Sequence, residues 1–107
     1  MCYGQLVVNV ANLDREHFER FLSGAKRTEW RWRSRIDPRL EAVTTGEPLY
    51  LLEIGSSRAI EATVRAMIRF DYPAHASHVY AVRVADPRLV DAPGIRKIQG
   101  WHRRAAL

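Results

Sequence analysis

The sequence holds a single cysteine, Cys2, so no internal disulfide can form, and the usage suits a reducing compartment. No apolar run approaches the roughly 18 residues that a membrane-spanning helix needs. No charged segment leads into an apolar stretch at the start, as it would in a secretory signal, so the chain reads as cytoplasmic. Lysine is scarce: of 17 basic residues only Lys26 and Lys97 are lysine, and the other 15 are arginine. That ratio fits a GC-rich bacterial genome. Glycine, at 6, and proline, at 5, are too few for low complexity. A hydrophobic content of 47% argues against disorder.

What remains is a 107-residue chain of net charge +5, the size of one domain with a small core. Arginine presents a planar donor fork to carboxylate or phosphate, so a small anionic partner fits the charge. Nucleic acid fits it less well, because the basic residues are spread along the chain without a known motif.

Gln5 to Val10 reads as a first strand, with Leu6, Val8 and Val10 on one face and Gln5, Val7 and Asn9 on the other. Asn12 is placed to cap a helix carrying Asp14 and Glu16 in its first turn and Phe18, Phe21, Leu22 and Ala25 on its apolar face, with Gly24 at its end. Thr28 to Ile36 alternates strictly. Trp30, Trp32, Ser34 and Ile36 point one way, and Arg31, Arg33 and Arg35 the other. This predicts a strand with the tryptophan face buried. Asp37-Pro38 ends it, and the polar connection from Arg39 to Glu47, with Thr44-Thr45-Gly46, leads into the apolar strand Pro48 to Ile54 as a long, irregular hairpin.

The stretch Glu47 to Ala85 reads as a β-α-β unit. Gly55-Ser56-Ser57 makes a turn and a helix cap. Ile60, Val64, Met67 and Ile68 fall at i, i+4, i+7 and i+8 and predict a helix over Arg58 to Phe70. Asp71-Tyr72-Pro73 stops it. His78 to Val84 is the last strand, rich in β-branched and aromatic residues. The tail, 85–107, reads as short packed pieces around Leu89-Val90 and Ile95 to Trp101, closed by Trp101-His102-Arg103-Arg104. The order β-α-β-β-α-β predicts a single α+β domain, a ferredoxin-like sandwich with an antiparallel sheet and two helices on one face. Its other face, lined by Val7, Trp30 or its arginine neighbours, Leu51 and Tyr80 or Val79, would pack against another copy.

The second half resembles the CutA-like divalent-cation-tolerance family. The resemblance rests on strand Leu49 to Ile54, helix Arg58 to Phe70, the Tyr72-Pro73 turn and strand Val79 to Val84. Trp30-Arg31-Trp32 resembles the family's aromatic-x-Trp hairpin element. The resemblance implies a small homotrimer, ferredoxin-like and related in shape to PII signalling proteins, that binds a small ligand or metal at subunit interfaces. The alternative is a cofactor-free enzyme, a cyclase or isomerase of a biosynthetic pathway, working in a cleft of the same fold.

Several residues are candidates for either role. Glu53 is a carboxylate within an apolar strand, placed near Asn9 on the open face, where burial would perturb its pKa; the other reading is an intersubunit ion pair. Asp71, Tyr72, His75 and His78 form a dense titratable cluster. It could orient a base, with Glu53 or a hairpin arginine supplied by a neighbouring chain. His75 and His78 are also the candidate ligands of a divalent metal, the one cofactor left open. Strand-start and helix-stop roles are their plainer reading. Arg31, Arg33 and Arg35 could bind an anion, or form a solvated row. Asn9, Trp32 and Tyr80 complete the ligand-binding candidates. Cys2 would be a nucleophile only if Met1 were removed.

Overall fold

The segment whose apolar spacing reads as a helix, Arg58 to Phe70, lies within a 15-residue β-strand, Arg58–Tyr72. This is seen in a computed structural model of the chain, which describes residues 7–32, 43–72, 74, 77–91 and 101–105. The elements are β1 (Val7–Leu13), α1 (Arg15–Ser23), β2 (Thr28–Trp32), β3 (Pro48–Glu53), β4 (Arg58–Tyr72), β5 (Ser77–Asp91) and β6 (Trp101–Ala105). They form one six-stranded sheet in the order β2-β5-β4-β3-β1-β6. β1 and β3 run parallel, and every other pairing is antiparallel. Among the described residues α1 is the only α-helix. The two-helix, ferredoxin-like sandwich and the CutA-like fold are therefore not what this chain adopts.

The misleading spacing has a local cause. Ile60, Ala62 and Val64 alternate in strand fashion, and all three are buried in the main core. A bulge then interrupts the ladder: Val64 faces Val84 but Ala66 faces Arg83, so Arg65 is an extra residue on β4. The phase shifts by one, and Met67 rather than Ala66 returns to the core. Spacings of four and three result, which imitate a helical face. The β-branched and aromatic content of the segment agrees with the strand.

α1 forms as its caps dictate. The N-cap is Asp14 rather than Asn12, which lies within β1; the Asp14 side chain accepts from the His17 backbone N–H. Gly24 closes the helix in the left-handed conformation, φ 87°, which costs an L side chain about 1–2 kcal/mol. Phe18 and Phe21 are buried against Leu49, Leu51, Ile60, Val64, Tyr80 and Val82. Each such ring contributes roughly 2–3 kcal/mol by burial. Leu51 and Tyr80 thus lie in the core under α1, not on the open face. On the opposite side Val10, Leu52 and Ala59 form a second, smaller cluster.

Two further expectations change. β2 does not form a hairpin with β3; it pairs with β5 at the far edge of the sheet. Its faces are also reversed. Trp30 is 52% exposed, while Glu29 and Arg31 turn inward, their charges matched to one another. The strand expected over 78–84 continues to Asp91, taking in part of the tail. Pro87 is tolerated there because the β2 pairing ends opposite Arg83, so among the described residues no strand stands on that edge to receive an N–H. β6 pairs with β1, Val7 opposite Ala105.

Candidate functional site

Nearly every described cation has a carboxylate beside it. Glu29 takes Lys26 Nζ at 3.1 Å and Arg31 Nη2 at 2.6 Å. Glu53 takes Arg58 at 2.7 Å and Arg15 at 3.7 Å. Arg20 pairs with Glu16, Arg69 with Asp71 and Arg88 with Glu61. Among the described side chains the exceptions are Arg27, Arg65 and Arg83, and all three line one groove of about 640 Å³. Asp86 also lines it, without an ion pair to any of the three among the described residues.

Irregular backbone builds this groove. Arg65 is the extra residue of the β4 bulge. A compensating irregularity lies on β5, where Ala85 faces Thr63 and Arg88 faces Glu61, so β5 gains a residue around Asp86 and Pro87. Asp86 adopts φ 52°, the one non-glycine positive φ among the described residues. The turn at 44–47 buttresses the bulge. Gly46 N–H donates to Val64 O at 2.7 Å, Val64 N–H to Glu47 O at 2.9 Å, and Thr45 Oγ1 to Arg65 O at 3.1 Å. Arg27 folds back over the end of α1, donating to Phe21 O at 3.2 Å. It fits because Gly24 has no side chain: a Cβ there would stand 3.2 Å from Arg27 Nη2. Bulges and strained dihedrals gather where backbone is shaped for a task.

The candidates from the sequence lie elsewhere. Asn9 is buried, its Nδ2 donating to Glu47 Oε1 and Pro48 O. It stands opposite Leu49 while Glu53 stands opposite Leu13, so the two do not meet. Glu53 is buried, but in an intrachain clamp: Arg58 and Ser56 donate to it, and Arg58 foremost holds its carboxyl down at about 2. Asp71 and His78 do face each other across β4 and β5, and Tyr72 faces Ser77. His78 is buried edge-on against Tyr80, which is itself only 2% exposed. Among the described residues no group of three His, Cys, Asp or Glu is placed to hold a metal. Trp32 lies on β2 opposite Val79. Cys2, Arg33, Arg35 and His75 lie outside the described residues.

Arg31 lines a second, smaller cleft of about 330 Å³ beside β2, with Asn12, Asp14, His17 and Trp30. Its walls carry the Lys26–Glu29–Arg31 set, and Arg31 Nη2 also donates to Asn12 O at 2.7 Å. Asp14 is held below the usual carboxylate range by the His17 backbone N–H and then its ring. These charges are matched to one another, although Arg31 Nε is buried there without a hydrogen-bond partner among the described residues. The groove is the place where whole guanidinium groups stand without a paired carboxylate among the described residues.

Sequence reasoning missed Arg27, Arg65 and Arg83, which stand far apart along the chain. Glu29 was the one legible sign in the alternating strand: an acid between the arginines marks that face as self-neutralised. In the groove the three guanidinium groups can take an oxyanion: Arg65 and Arg83 offer paired N–H donors, and Arg27, whose Nη1 donates to Phe21 O and Lys26 O, offers its remaining N–H groups and its charge. No family model matches the chain, and neither a curated protein nor a solved structure matches it.

Proposed function

We propose that the chain is an anion-binding module whose groove of Arg27, Arg65 and Arg83 takes phosphate or phosphate-ester groups. One observation carries the reading: the described arginines that lack a carboxylate are the ones that converge. Guanidinium is weakly hydrated and always charged, so it recognises phosphate without a change of protonation. The groove is open, which suits a group presented on a larger molecule. Asp86 is the one described acid that lines it, against three arginines, and the reading is binding rather than catalysis. It keeps the small-ligand role inferred from sequence and moves the site.

Calorimetric titration with pyrophosphate at low salt tests the proposal. Arg83→Gln and Arg65→Gln should each weaken binding about tenfold, the size of one lost charge-assisted hydrogen-bonding group. Arg20→Gln, on the exposed Glu16 pair, should leave it unchanged. Equal affinity in all variants would remove the groove from consideration.

A further inference from the structure

The groove borders the sheet face turned away from α1. On β5, Tyr80, Val82 and Val84 point into the core, so Val79, Ala81 and Arg83 occupy the other side. The ladder places Trp30 and Ile68 beside Ala81, and Phe70 beside Val79. Trp30, Ile68 and Phe70 are 52%, 48% and 43% exposed. Trp30 and Phe70 lean toward each other over β5, their ring centroids 5.7 Å apart at 34°. Between them they shelter Val79 and Ala81, which are only 4% exposed. Arg83 follows Ala81 at about 7 Å, one alternate step along the strand. Aromatic surface in water is thus continuous with arginines that form no ion pair among the described residues.

We infer that this face binds single-stranded nucleic acid, with bases stacked on Trp30 and Phe70 and the backbone phosphates in the arginine groove. The inference rests on the phosphate reading of that groove. Its chemistry is that of non-specific strand binding: rings supply a π-face that any base can use, and a basic channel tracks the backbone. A duplex hides the faces of its bases and would engage the arginines alone. A second copy of this chain is disfavoured by charge. It would bring more unpaired arginines to the face, on a chain of net charge +5.

Fluorescence anisotropy with a labelled oligothymidylate of about 12 nucleotides, set beside a duplex of equal length, tests the inference. The single strand should bind at least tenfold more tightly. Trp30→Ala and Phe70→Ala should each weaken it about tenfold, the loss of one stacked base, and leave pyrophosphate binding intact. Arg83→Gln should weaken both ligands. If the aromatic variants bind the strand as well as the parent, or the duplex binds equally, the stacking face is wrong while the phosphate groove stands. If Arg83→Gln changes neither ligand, both proposals fall. A dimer in light scattering that Trp30→Ala dissociates, without strand binding, would assign the face to self-association and overturn the inference.

Discussion

Glu53 accepts Arg58 on both its oxygens, Nε at 3.0 Å and Nη2 at 2.7 Å, across the Gly55 turn that joins β3 to β4. The same guanidinium reaches Glu19 on α1 at 2.8 Å and lies 5.0 Å from the centre of the Phe18 ring. One side chain therefore ties a hairpin tip to the helix. Glu53 stays ionised at neutral pH, which suits a clamp and not a proton donor.

This clamp makes stability depend on acid. Glu53 titrates at about 2 when folded and near 4.5 otherwise. Its contribution is complete above 4.5 and is lost as pH falls from there toward 2. Glu53→Gln should lower the melting temperature at pH 7 and flatten its decline between pH 4.5 and 2. A decline in that window as steep as the parent's would show that other carboxylates carry it.

Glu29 stands between Lys26 and Arg31 in a nearly buried set. Removing the acid leaves two neighbouring cations uncompensated. Glu29→Ala should cost about 3–5 kcal/mol in urea unfolding. Glu16→Ala, which breaks an exposed helical pair with Arg20, should cost less than about 0.5 kcal/mol.

The reversal of β2 predicts a contrast between aromatics. Phe18→Ala opens the core and should cost about 3–5 kcal/mol. Trp30→Ala removes an exposed ring and should cost about 1 kcal/mol or less, much of it from uncovering Ala81. Comparable losses in the two denaturation curves would put the tryptophan face inside after all.

The turn at 44–47 should matter to binding as well as to stability. Thr45→Val removes the hydroxyl that holds Arg65 O. A loss of about 1 kcal/mol is expected, together with weaker pyrophosphate binding as Arg65 shifts. Stability lost with affinity unchanged would show that the bulge keeps its shape without this bond.

α1, with Phe18, Phe21 and Gly24, was readable because caps and periodicity are local. β3 was readable as an apolar run between turn residues. β4 was not, because one inserted residue at a bulge turns a period of two into spacings of four and three. The alternation of Thr28 to Trp32 showed two faces but could not say which lies inside. Hydropathy favours tryptophan; the ion pairs of Glu29 decide for arginine. The groove is harder still. Whether an arginine is spare depends on which acids reach it after folding, and Arg27, Arg65 and Arg83 become neighbours only through the β2-β5-β4 pairing.

β4 and β5 form a hairpin of near neighbours in sequence, whereas β6 reaches β1 from the other end of the chain. The hairpin can zip up from its own turn, while the β1–β6 ladder must wait for the entropy of closing a very long loop. Assembly is thus expected to begin at one side of the sheet and finish at the other. In native-state hydrogen exchange the amides of 101–105 should open first and those of β5 beside the core last.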